Sequence, residues 1–109
     1  MVIDWSRIET LRGDIGSEDF AEVAALFLEE MGAGMVDLDS AAGQKALEAQ
    51  LHFLKGAALN LGFAAFADLC QTGESAAAQG RTGAVDIAAL RAAYQSARSE
   101  FLAGTGCAT

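Results

Sequence analysis

Three features of the chain predict an all-α domain. Its 109 residues contain no proline, alanine is abundant, and the apolar residues of every long segment recur at helical spacing. The later helices are joined by short connections, which implies antiparallel neighbours. The predicted architecture is an antiparallel up-down four-helix bundle with a short additional N-terminal helix. Residues 1–103 would form the bundle, and 104–109, a glycine-containing stretch, would be a mobile tail.

The first helix starts at Asp4, a capping side chain flanked by Ile3 and Ile8 at the two positions of a hydrophobic staple, and Gly13 marks its end. Trp5, Ile8 and Leu11 would cover one end of the bundle. A second helix begins after Ser17, where Glu18 and Asp19 suit the positive end of the helix dipole, and runs to Ala41. Its inner stripe is Phe20, Val23, Ala24, Phe27, Met31 and Leu38. Gly32 and Gly34 weaken it and point to a local kink or a close helix contact. The third helix covers Gln44 to Leu61 and is closed by Gly62, since a residue without Cβ readily turns left-handed after a helix end. The fourth runs from Ala64 to Gln79, with Phe66, Leu69, Cys70, Gly73 and Ala77 facing inward. After a turn at Gly80 to Gly83, Asp86 caps a fifth helix, and Val85 and Leu90 form a second staple. Ile87, Leu90, Tyr94, Ala97 and Phe101 make its apolar face.

The third helix carries the only histidine. At about 100° per residue, Leu47, Leu51, Leu54, Ala58 and Leu61 fall within a sector about 80° wide, while His52 points about 160° away from Leu54. A core-filling imidazole would lie inside that sector, so His52 faces outward. Lys55 and Gly56 follow at the spacings that make neighbours on a helix surface. A neutral imidazole keeps a lone pair on one ring nitrogen while the other holds a proton, so it can accept and return a phosphoryl group. Lys55 would bring an ammonium to the phosphoryl oxygens. Gly56 costs about 1 kcal/mol relative to alanine inside a helix, and its missing side chain would let another protein's backbone approach. Singly, each residue has an ordinary explanation: a solvated histidine, a surface lysine, a glycine admitting a neighbouring helix. Their shared orientation favours chemistry.

A reversal near Phe63 would put Glu74 level with His52 and Gln71 level with Lys55. A Glu74 carboxylate accepting one imidazole N–H would fix the tautomer and aim the opposite nitrogen outward. Leu59, two turns beyond His52 on the same face, would form the apolar rim of a docking patch. Glu48 and Lys45 would stand on its polar margin, with Gln71 alongside.

Read as H-x-x-K-G-x-x-x-x-x-G, the segment His52 to Gly62 resembles the signature of histidine-containing phosphotransfer (HPt) domains of two-component phosphorelays. The likeness extends to Phe20–Glu30, similar to the family's second helix, and to Phe63–Glu74, similar to the helix after the signature, so that Ile3 to Leu102 fits. It implies that His52 is phosphorylated, that Lys55 is the cation beside the phosphate, and that Gly56 gives clearance to a docking response-regulator receiver domain. Glu74 stands where the family often has Glu or Gln. Ala57 and Ala58 replace a small polar residue common after the Lys-Gly pair, and Gly32 and Gly34 are unusual for the family's second helix.

Composition narrows the classes further. A formal charge of -8 and scattered basic residues argue against nucleic acid, whose binders cluster Lys and Arg, and against an anionic membrane surface. No apolar run approaches the roughly 20 residues that span a bilayer, and the N-terminus lacks the features of a secretory signal, so a cytoplasmic location is expected. The chain is too short for an additional ATP-binding kinase module, and no G-x-x-x-x-G-K-[ST] run occurs. Cys70 reads as a packing residue and Cys107 as part of the tail; with one histidine they make no metal site.

The function these readings predict is a monomeric phosphoryl carrier, not an enzyme. His52 would take a phosphoryl group from a receiver's aspartyl phosphate and pass it to another receiver. No cofactor of its own is expected, magnesium residing on the partner receiver, and a hybrid histidine kinase is a further possible partner. Two rivals stand beside it: a helical module that docks and inhibits a receiver or kinase without carrying phosphate, and the phosphoacceptor segment of a larger chemotaxis-type histidine kinase.

Overall fold

The computed structural model describes residues 1–41 and 43–106, and among them every regular element is helical. The elements are α1 (Trp5–Ile15), α2 (Ser17–Ser40), α3 (Gln44–Asn60), α4 (Ala64–Ala78) and α5 (Ile87–Thr105), with a single 3-10 turn at Thr82–Ala84 before α5. Both aspartate caps form: Asp4 accepts from the backbone N–H of Arg7, and Asp86 from that of Ala89.

Several boundaries differ from the sequence reading. Gly13 does not end α1, which continues to Ile15; the turn falls at Gly16, whose φ of 84° a residue with Cβ rarely adopts. That glycine, not Ser17, is also the N-cap of α2. Leu28 and Met35 join the buried stripe of α2, whereas Val23 and Phe27 are only half-buried. Leu69 of α4 is 37% exposed, and Ala67 and Ala76 are buried on that helix. Trp5 lies half-exposed over α5, where a Cβ at Gly104 would collide with its ring. Helix α5 therefore runs through Gly104 to Thr105, beyond the boundary expected for the tail, with Gly106 as its left-handed cap. Cys107 lies outside the described residues.

The helices pack α2 on α3, α3 on α4, α4 on α5 and α5 back on α2, with α1 against α2. Their residue pairings run in opposite senses. On α2 and α5, Phe20 meets Phe101 while Asp39 pairs with Arg91; on α4 and α5, Phe66 meets Tyr94 while Gly73 approaches Val85 just before α5. Phe63 lies edge-on to Phe101 at 5.7 Å and completes a run of aromatic rings tying α2, α4 and α5 together. Such ring pairs add about 0.5–1.5 kcal/mol each beyond their burial.

At the turn after α3, Gly62 has φ 74° and its carbonyl accepts from Asp4 N at 2.7 Å. A Cβ there would meet the Asp4 carbonyl oxygen at 2.8 Å. Both its handedness and the close approach of the N-terminal segment require glycine. On α2, Gly34 answers a different need: a Cβ would meet Leu54 Cδ2 at 2.8 Å and Gln50 Nε2 at 3.0 Å, both on α3. A close helix contact thus explains this glycine.

Candidate functional site

The site is built on the seam between α3 and α4. Leu47, Leu51, Leu54 and Ala58 face the core and are buried, which turns His52 outward with its side chain 70% exposed. Across the seam, buried Gly73 lets α4 come close to α3, since a Cβ there would lie 3.1 Å from Leu51 Cδ1. His52 and Glu74, each the next residue along, are brought within bonding range.

His52 Nδ1 lies 2.9 Å from Glu74 Oε2. A carboxylate can only accept, so in the neutral imidazole Nδ1 carries the proton and Nε2 the lone pair. Lys55 Nζ lies 2.9 Å from Glu74 Oε1 and donates to Gln71 Oε1 at 2.8 Å. Gln71 Nε2 in turn donates to Ser75 Oγ at 3.0 Å. The polar run is therefore His52, Glu74, Lys55, Gln71, Ser75. Its middle is sheltered, with Lys55 and Glu74 20% and 17% exposed, while its histidine end is open.

The Lys55 hydrogen bond, followed by that of His52, holds the Glu74 carboxyl below its ordinary range, against the opposing effect of burial. Glu74 Oε1 is buried, and the Lys55 charge beside it offsets its desolvation. Beneath the seam, burial and then the Glu74 charge push the Cys70 thiol up to about 12, so it stays protonated and packs as an apolar group.

Gly56 is exposed, and a Cβ built there would touch nothing within 4 Å. The helix gains no packing from the absence of that side chain. Leu59 is exposed beyond His52, Lys45 is exposed, and Glu48 is partly covered one turn before His52. Gln71, expected on the docking margin, is exposed but bonded to Lys55 and Ser75. Two residues escaped the sequence reading. Ser75 lies one helical turn after Gln71, a spacing that signals contact. Phe53, 45% exposed, lies outside the apolar sector of α3 on the same angular count that singled out His52.

Among the described residues, no group of three or more His, Cys, Asp or Glu could hold a metal ion. No described helix is long and apolar enough to cross a membrane.

The family model of the Hpt domain matches residues 7–100, which include every member of the polar run. The chain belongs to the Hpt domain family. Hpt domains serve phosphotransfer in two-component signalling, and their partners in general are receiver domains and kinases. No curated protein and no solved structure matches the chain. For an Hpt domain, an exposed imidazole with one nitrogen held by a carboxylate and the other left outward is a suitable phosphoryl acceptor.

Proposed function

We propose that this Hpt domain is a phosphorelay intermediate that accepts a phosphoryl group on His52 from one receiver and passes it to another. The observation carrying this reading is the 2.9 Å contact between Nδ1 and Glu74 Oε2 on a ring that is 70% exposed. The Nε2 lone pair attacks the phosphorus of the receiver's aspartyl phosphate. As the N–P bond forms, the bond from phosphorus to the aspartyl oxygen breaks, and the aspartate leaves with the electron pair as a carboxylate. Nε2 has no proton to lose. The ring becomes positively charged, and Glu74, already accepting from Nδ1–H, balances that charge. Attack by the aspartate of a second receiver reverses each step.

An ammonium has three donors. On Lys55 one goes to Gln71 and the Glu74 carboxylate pairs with the charge at 2.9 Å, and this reading gives a remaining donor to a phosphoryl oxygen. Magnesium belongs to the receiver, which supplies the remaining charge stabilisation; this chain supplies nucleophile, cation and docking surface, and is a carrier without kinase activity of its own. The same reading takes the successive antiparallel pairings as an up-down four-helix bundle covered by α1, acting as a cytoplasmic monomer. A purely inhibitory binding module would have no use for the outward nitrogen.

Incubation with a receiver carrying labelled phosphate tests the proposal. Wild type becomes labelled and His52→Gln does not; equal labelling of the two removes His52 from the reaction.

A further inference from the structure

The surroundings of His52 are asymmetric. Toward α4 stand Lys55, Glu48 and Leu59. On the other side of α3, toward α2, the exposed positions next to His52 are Gly56 and Ala49, and beyond them comes the half-exposed ring of Phe53. On the helical count these lie about 40°, 60° and 100° from His52. A partner reaching Nε2 therefore has free passage over small residues on the α2 side.

That passage leads into an open groove of about 340 Å³ between α2 and α3, lined by Glu30, Ala33, Gly34, Asp37, Gln50 and Phe53. Its apolar surface comes from Ala33 and Phe53, and at Gly34 the Gln50 Nε2 is already committed to the backbone carbonyl at 3.0 Å. Glu30 and Asp37, seven residues apart, place carboxylates about 10 Å from each other along α2. The wider surface has the same sign. Seven of the 15 acidic residues fall between Ser17 and Ser40, a span without lysine or arginine.

We propose that this groove is the charge-selecting part of the docking surface: it accepts an apolar side chain over Phe53 and Gly34, flanked by lysine or arginine facing Glu30 and Asp37, from a receiver with a basic docking face. The inference rests on the phosphorelay reading and adds to it the side of approach and the charge of the partner. An apolar contact surrounded by unlike charges supplies binding and selection together, and a receiver with an acidic face is repelled before it docks. The charge on α2 also speeds encounter with basic partners at low salt.

The test uses receivers from the source organism, each phosphorylated with acetyl phosphate, and measures initial transfer rates against receiver concentration. With the receiver that wild type prefers, the double variant Glu30→Lys, Asp37→Lys raises KM about tenfold at low salt with kcat within twofold, and the gap narrows at high salt. Phe53→Ala raises KM at both salt concentrations. A control with equal charge change on α1 and α5, Glu9→Lys with Glu100→Lys, leaves KM within about twofold. Replacing the receiver's docking lysine by glutamate restores KM for the double variant. Circular dichroism verifies that each variant is folded. An unchanged KM in the double variant, or an equal rise in the control, overturns the inference while the relay stands. A wild-type protein that takes phosphate from no receiver sinks the relay reading and the groove with it.

Discussion

Along its seam with α4, α3 contributes His52 and Lys55 to a run of polar contacts ending at Ser75, whereas along its seam with α2 it closes Leu54, Gln50 and Phe53 over a backbone left bare at Gly34. The first seam is close-packed beneath, where Gly73 meets Leu51, and polar only along its solvent edge. The second is held by contact, and a Cβ at Gly34 would force Leu54 Cδ2, 2.8 Å away, to shift. On the proposed relay reading the polar groups meet a phosphoryl oxygen and so stay near solvent, where their pairings contribute little to stability. Their geometry then needs a rigid support, and the packing of α3 on both α4 and α2 provides it. The polar edge and the packed faces of α3 thus do different jobs, and substitutions should separate them.

The largest effect is expected at Gly34. Gly34→Val adds a branched side chain where even one carbon collides, and overpacking should lower unfolding stability by about 3 kcal/mol, read by urea denaturation. A loss below about 1 kcal/mol would show that Leu54 and Gln50 shift aside and that the seam can spread.

Glu74→Ala should slow phosphotransfer by about 10- to 100-fold, or about 1.4–2.7 kcal/mol, with the helical fold retained by circular dichroism. Glu74→Gln keeps an oxygen that accepts from Nδ1–H and should lose only a few-fold. Acidity sharpens the point. Because Lys55 first, and His52 after it, hold this carboxyl below its ordinary 4.5, its stabilising contribution is complete above that value and disappears as pH falls through the lower folded-state value. The stability difference between wild type and Glu74→Gln should therefore shrink only on the acid side of 4.5.

Gly56→Ala reverses the usual association of stability with activity. With nothing within 4 Å of the added carbon, alanine should stabilise the helix by about 1 kcal/mol, yet slow transfer about threefold by narrowing the approach to Nε2. An unchanged rate would remove the clearance role of this glycine. Ser75→Ala is expected to have the smallest effect, about twofold in transfer rate, because Gln71 would lose only the partner that orients its amide. A larger loss would make Ser75 a participant in docking.

Much of the site was legible along the chain. Helical periodicity turns His52 away from Leu54, and the hairpin at Phe63 puts Glu74 and Gln71 level with His52 and Lys55, as the 2.9 Å and 2.8 Å contacts show. The aspartate caps at Asp4 and Asp86 were equally readable because they depend on residues three apart. Leu69 was misplaced, since a helical stripe tells which direction is inward but not how far a neighbouring helix extends to cover its edge. The end of α1 was misplaced for a related reason: Gly13 is tolerated within the helix, and the left-handed turn falls at Gly16.

What the amino-acid sequence determined alone is the helical character of the chain, the outward histidine and the heights of its partners, all of which follow from the rise and rotation of one helix and a single reversal. The tertiary structure decided the rest. That Gly34 marks a close crossing, that Phe53 opens onto an acidic groove and that Trp5 lies over Gly104 all depend on distances between helices. Those distances come from the packing of many side chains at once, and no pattern along one segment encodes them.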